Sequence, residues 1–412
     1  MRAYGRLLAH GPASRPFVFA ALARLTLAMV PLGILILVEQ ERHTYALAGL
    51  VSGAYAVGAA VGTPLWGRLM DRFGQIPVLL PTTVVSSTLL VALAYAAAGE
   101  TAGTGLVALA VGVGFSYPAV SPALRAGFRT TFPDPRSRKV AFALDATSVE
   151  LSFVLGPLLL SAFLLARLPV LPLLVTAGLL AGGGIAYCCT GFARRTSTTS
   201  RSVDDDVDLG IADAVPRSAL ATTGVPAVLI VMLLLSVGFG QLDTSMAATA
   251  DRALGGTEQV GILFAAIAGG STLGGLGFGA RSWSFDEHRG VPVLLGLFGL
   301  CLAVLAGLLS LRIAGLPVLL PVLFLTGLTI APTLIMQQTL VDRLTPQPRL
   351  NEAQALLSAA NTTGAAVGTA IAGIVIDVAG LSWSFAGAAL GVLVAAGIAL
   401  IQPRQTGPAP SR

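Results

Sequence analysis

Charge is what this sequence has least of. Only 11% of its 412 residues are charged, whereas a soluble domain carries about a quarter to keep its outer face wetted. That shortage excludes a string of two or three soluble domains. Histidine is scarcer still: His10, His43 and His288 fall in expected loops, far apart in sequence, and make no metal-ligand pattern. The three cysteines, Cys188, Cys189 and Cys301, lie inside apolar runs. An odd number in such surroundings fits small packing residues better than a disulfide framework. There is no Gly-rich phosphate loop of the form G-x-x-x-x-G-K-S/T, and no nucleophile–base arrangement stands out. Neither an enzyme nor a cofactor is expected.

Apolar length is what remains. Hydrophobic residues make up 55% of the chain, and the mean hydropathy is +0.83. Apolar runs of roughly 20 residues recur from end to end, about the length a helix needs to cross a bilayer. Membrane barrels alternate apolar and polar residues in short segments, whereas these runs are apolar on every face. The 48 glycines and 24 prolines suit membrane helices, where small residues permit close packing and Pro is tolerated. The expected fold is an all-α polytopic membrane protein with twelve transmembrane helices in two six-helix bundles. The spans, numbered 1 to 12, are placed at 16–38, 46–66, 76–98, 104–126, 139–165, 169–190, 224–247, 257–279, 291–311, 315–340, 352–378 and 382–401. Span 1 is too long for a cleavable signal peptide, and no small-residue cleavage site precedes a soluble domain.

Basic residues sort by side. Twenty of the 25 lie in one set of alternate loops together with both ends of the chain. Arg42, Arg167, Arg252 and Arg312 lie in the other set, and Arg24 is inside span 1. Because basic loops stay in the cytoplasm, both termini are expected there, with an even number of crossings. The net charge of +5 is then a topology signal and needs no nucleic-acid partner. Between spans 6 and 7 a polar stretch, "GFARRTSTTSRSVDDDVDLGIADAVPRSA", lacks the apolar content to fold alone. It divides the chain into an N-terminal bundle (1–190), a cytoplasmic linker (191–220) and a C-terminal bundle (221–412). Asp204, Asp205 and Asp206 make either a solvated tether or a regulatory contact.

The two halves repeat one another. Gly49, Gly58, Gly62 and Gly67 of span 2 stand 212 residues before Gly261, Gly270, Gly274 and Gly279 of span 8. The same offset takes Gly156 of span 5 to Gly368 of span 11. Such agreement predicts a parallel repeat about an axis along the membrane normal.

One charged stretch interrupts the apolar pattern: "GRLMDRFGQ", residues 67–75, expected as the turn between spans 2 and 3. Its glycines permit close approach and a tight reversal, while Arg68 and Arg72 hold it on the cytoplasmic side. At the repeat-related position "GARSWSFDEHRG" keeps Gly279 and Arg281 but has Trp283 where Asp71 would map. Gly67, Leu69, Asp71, Arg72 and Gly74 resemble the motif Gly-x-Leu-x-Asp-Arg-x-Gly-Arg-Lys of the major facilitator superfamily. The twelve spans, the six-plus-six repeat and the central linker extend that resemblance over the chain. It implies transport by alternating access, with spans 1, 4, 7 and 10 around a midplane cavity and spans 2, 5, 8 and 11 at a moving seam. It also implies that Gly67, Arg68, Asp71, Arg72 and Gly74 form a cytoplasmic gate against span 11, which starts near Asn351. An ordinary topology-setting loop is the other reading. Gln75 and Ile76 depart from the motif's basic pair.

In span 5, "LSFVLGPLLLSAF" partly resembles the Gly-Pro element of the superfamily's drug/proton antiporters. Gly156 and Pro157 match, whereas Ser152, Leu160 and Ser161 replace the flanking glycines, and span 4 has no mid-helix Arg. A kink or a packing notch accounts for the pair equally well.

Ionisable residues inside spans are costly and are functional candidates by default. Glu150 lies roughly 16 Å into span 5 and Arg24 about 12 Å into span 1, counting 1.5 Å per residue. Loss of water disfavours a charged carboxyl, so Glu150 is the first proton-coupling candidate. Asp145 and Arg24 are the others, and either acid is free to pair with Arg24. Asp243 of span 7 is expected to snorkel, to contact Arg252, or to recognise a cationic substrate. Tyr55, Tyr117, Gln241, Gln338 and Asn361 complete the substrate-binding candidates. So few hydrogen-bonding groups suit an amphipathic cargo better than a sugar. The expected function is proton-coupled export of small drug-like or secondary metabolites across the plasma membrane, by a monomer in the lipid bilayer. Import of a small nutrient is the alternative. A non-transporting receptor or scaffold is a third, disfavoured by the short linker and the lack of an appended soluble domain.

Overall fold

Backbone groups have no water to bond in hydrocarbon, so an apolar segment crosses as a helix that satisfies its own N–H and C=O groups. A computed structural model describes residues 14–131, 135–166, 168–194, 220, 222–280, 287–346 and 350–401. Some side chains within its helices, among them those of Asp71, Glu150, Asn351 and Glu352, also lie outside the described residues. A helix occupies every expected span, and no strand occurs among the described residues.

Span 1 is Ser14–Arg42, span 2 Tyr45–Phe73, span 3 Gln75–Ala98, span 5 Pro135–Leu164 and span 6 Leu171–Cys188. Spans 7 to 12 are Val225–Arg252, Val260–Ala280, Glu287–Ser310, Leu316–Leu344, Leu350–Val378 and Leu381–Ile401. Eleven spans are long and apolar enough to cross a membrane along most of their length. Span 5 is the exception: only Leu151–Leu164 is a short apolar helix, because Asp145, Glu150 and the basic residues before them occupy its first half. His288, expected in a loop, falls in the first turn of span 9.

Two boundaries differ from expectation. The charged stretch before Gly74 is the end of a helix, since span 2 continues through Arg68, Asp71 and Arg72 to Phe73. Nothing from Arg68 to Phe73 breaks a helix; Gly74, at φ 90°, does. A single residue therefore joins spans 2 and 3. Span 4, expected as one helix, is two: Gly103–Phe115 and Val120–Thr131. The break at Ser116–Ala119 contains Pro118, and its loose carbonyls find partners. Trp66 Nε1 donates to the Phe115 carbonyl at 2.5 Å and Ser86 Oγ to the Val113 carbonyl at 3.0 Å. Such outside donors are what non-helical backbone at membrane depth requires.

The chain forms two compact units, Met1–His43 with Ala54–Leu209 and Thr44–Gly53 with Gly210–Arg412. The linker expected at 191–220 lies mostly outside the described residues, as does the stretch 281–286 that includes Trp283. In the first unit Phe17, Met70, Leu79, Leu124, Phe128, Tyr187 and Phe192 build a buried cluster at the end that carries Gly74. In the second, Tyr45, Ala248, Ala372 and Ile376 form a smaller one.

The repeated glycines make repeated contacts. A Cβ on Gly58 or Gly62 would strike the Val111 or Phe115 carbonyl, and one on Gly270 or Gly274 the Phe324 or Leu328 carbonyl. Gly114 lies as closely on the Tyr55 carbonyl, and Gly327 on that of Ile267, again 212 residues beyond Tyr55. Gly156 faces the Leu25 carbonyl and Gly368 that of Val237, at the same offset. Gly49 instead packs on the Thr369 carbonyl within the second unit, and Gly67 faces open space.

Candidate functional site

Most intramembrane charge in the first unit gathers on one carboxylate. Asp145 of span 5 is fully buried, and Arg24 of span 1 is 3% exposed. Arg24 Nη1 lies 2.5 Å from Asp145 Oδ1, an ion contact without hydrogen-bond geometry, and donates to Ser148 Oγ at 3.0 Å. Asp145 Oδ2 accepts from Arg125 Nε at 2.7 Å. Two guanidiniums thus share one acid, and the trio carries a net positive charge. Arg125 was expected at the end of span 4, outside the site. The break at Ser116–Ala119 starts a fresh amphipathic helix that carries Arg125 to span 5.

Two Arg24 donors, Nε and Nη2, are buried and have no partner among the described residues. Span 5 holds its own polar groups locally: Ser148 Oγ donates to the Asp145 carbonyl at 2.8 Å, and Ser152 Oγ to the Ser148 carbonyl at 2.8 Å. Beside this trio lies a neutral relay. The Tyr117 and Thr26 hydroxyls are 2.7 Å apart, and the Tyr55 ring meets the Tyr117 ring edge-on with centroids 6.1 Å apart. Tyr117 and Tyr187 both lie within electrostatic reach of Arg24. Glu150 is on the same helix as Asp145, with its side chain outside the described residues.

The remaining candidates disperse. Gln241 is buried beside Gly387 of span 12, while Gln338 is exposed. Asn361 accepts a 2.7 Å hydrogen bond from Ser236 Oγ. Asp243 is exposed and, among the described residues, makes no hydrogen bond or ion pair. Its expected contact with Arg252 is absent, because Arg252 binds Asp377 Oδ1 at 2.9 Å and the Ile376 carbonyl at 3.2 Å. The guanidinium also stacks 4.7 Å above the Tyr45 ring, and the Tyr45 hydroxyl donates to Asp251 Oδ2 at 3.3 Å. Asp377 Oδ2 further accepts the Ala46 N–H at 2.7 Å.

Around Gly74, Arg68 and Arg72 are exposed, and Arg72 lies 5.2 Å over the Phe73 ring. The Asp71 side chain and the first residues of span 11 lie outside the described set. Gln75, which departs from the basic motif position, is buried: Nε2 donates to the Ala123 carbonyl at 2.8 Å and Oε1 accepts from Tyr187 at 3.2 Å. A charged side chain there would replace two interior bonds. Gly156 serves as a packing notch on span 1, and the helix continues through Pro157.

Sequence reasoning missed Gln337. It is fully buried in span 10, with neither amide atom partnered among the described residues. The exposed Gln338 beside it drew the attention. Among the described residues no group of three or more His, Cys, Asp or Glu could hold a metal ion.

The sequence profile of the Major Facilitator Superfamily matches residues 17–289 and 244–412. The chain belongs to the Major Facilitator Superfamily. As a superfamily member it is a multi-pass membrane transporter and not an enzyme. Solved superfamily folds agree. A crystal structure of the nucleoside transporter NupG superposes with a TM-score of 0.75 at 12% identity, over 96% of this chain and 100% of that one. The human organic anion transporter MFSD10 (TETRAN) gives 0.62 at 18% identity, over 94% and 98%. The POT family transporter PepTSo gives 0.70 at 12% identity, over 95% and 97%. No curated protein matches the sequence. At such identities the likeness establishes the superfamily fold, and the cargo has to be argued from the site.

Proposed function

We propose that this protein is a secondary active exporter in the plasma membrane, with both termini in the cytoplasm, that couples proton entry to expulsion of small amphipathic compounds by alternating access. The observation that carries the reading is the Arg24–Asp145–Arg125 trio, which joins spans 1, 5 and 4 through one buried acid. Breaking a buried pair by removing its charge is costly, about 3–5 kcal/mol. Protonation of Asp145 would loosen both guanidiniums at once, so proton occupancy and helix packing are linked by chemistry at this point. Glu150, further along the same helix, is the proposed carrier that delivers the proton. The mostly apolar interior supports an amphipathic cargo.

Accumulation of fluorescent lipophilic compounds in efflux-deficient cells tests this. Cells expressing the wild-type chain should retain less dye, and either an uncoupler or Glu150→Gln should abolish the difference. Retained export in Glu150→Gln would remove the proton-carrier role. Asp71→Asn examines the proposed gate at the end of span 2: insertion should be intact and transport lost.

A further inference from the structure

We infer that Arg24 is an anion grip: the cargo carries a carboxylate, or an equivalent planar anion, that binds the unpartnered Nε and Nη2 of this guanidinium. The inference rests on the transport reading above and narrows its substrate class.

Three observations converge. Arg24 is buried in a membrane span, yet two of its donors have no partner among the described residues. Buried donors are normally satisfied, and each exception calls for an explanation. The donors left over are Nε and one Nη, the side-on pair of the guanidinium fork that holds a carboxylate through two parallel bonds. Secondly, Asp145 does not neutralise the site, because it is shared with Arg125. Thirdly, the charge is not needed to pack these helices. At the repeat-related place, 212 residues on, Ser236 of span 7 meets Asn361 of span 11 through a neutral bond. The second unit closes the same helix–helix contact without an ion. Around the grip, Tyr117 and Tyr55 offer aromatic edges to the apolar body of a cargo. An exposed, unpaired Asp243 supports the rival, a cationic cargo.

The test uses the full chain in proteoliposomes with two dyes sharing a xanthene ring system, anionic carboxyfluorescein and cationic rhodamine 123. Each is offered under a potassium diffusion potential of the polarity that draws it inward. Carboxyfluorescein should enter faster than rhodamine 123. Arg24→Gln should cut that flux about tenfold or more, the loss of a charge-assisted pair. Arg24→Lys should restore part of it, because a point charge lacks the fork. Gel filtration and unfolding temperature show whether each variant is folded. Transport of rhodamine 123 alone, or undiminished carboxyfluorescein flux in folded Arg24→Gln, would overturn the grip. So would the absence of both fluxes, if carboxyfluorescein also raises the unfolding temperature of wild type no more than that of Arg24→Gln. A flux that needs Arg24 yet ignores an imposed pH gradient would uphold the grip and refute proton coupling instead.

Discussion

The two six-span halves share their glycine contacts and differ in their charge. Gly58, Gly62 and Gly114 on one side, and Gly270, Gly274 and Gly327 on the other, bring helix backbones together at matching places. Helix association in lipid depends on such close packing, because lipid tails are as apolar as the side chains. That part of the repeat is structural. Where Arg24, Asp145 and Arg125 occupy the first half, the second has Ser236 bonded to Asn361. A buried ion network is an inefficient way to pack two helices when a neutral pair does the same. The difference locates what this protein does apart from what holds it together.

The sharpest way to break that comparison is Asp145→Asn against Asn361→Ala. With the acid gone, Arg24 is left buried without its counter-charge, and destabilisation of about 3–5 kcal/mol is expected. Transport should be lost with it. Thermal unfolding of the purified chain in detergent would show the drop; equal effects in the two halves would dissolve the contrast.

Glycine substitution gives the next largest effect, and here the second half should suffer more. A Cβ on Gly368 collides with the Val237 carbonyl, whereas one on Gly156 sits 3.1 Å from the Leu25 carbonyl. Gly368→Ala is expected to cost about 1–3 kcal/mol through forced backbone shifts, and Gly156→Ala clearly less. The order of their unfolding temperatures checks this.

Trp66→Phe follows. It leaves the Phe115 carbonyl at the break in span 4 without its donor, with a cost of about 1–3 kcal/mol for a buried unsatisfied group. The second half carries Phe278 at the related position, and span 10 needs no such donor because its helix is unbroken. If Trp66→Phe leaves stability unchanged, the break is held by something else. Asn361→Ala should be mildest, near 1 kcal/mol for an ordinary hydrogen bond, with transport retained.

Much of this fold was legible because apolar length and glycine spacing are local properties. Twelve spans and the 212-residue offset follow from the sequence directly. The break in span 4 was not legible. Pro31, Pro64, Pro81, Pro157 and Pro332 all lie inside continuous helices, so Pro118 carries no distinctive mark. At the candidate site, Arg24 and Asp145 stood out as charges within apolar runs. Arg125 did not, because its role depends on a helix that restarts after the break. Gln337 stayed hidden for another reason: an uncharged amide among hydrophobic neighbours gives no pattern signal, and only its burial makes it unusual.

The joints between the first three spans reach into biogenesis. His43 and Thr44 separate span 1 from span 2, and Gly74 alone separates span 2 from span 3. Neither joint is long enough to leave a protease, an antibody or an inserted tag a strip of extended chain to seize. A nascent span 2 would have little slack in which to wait for span 3. The two are best suited to enter the bilayer together, as a helical hairpin folded at one glycine.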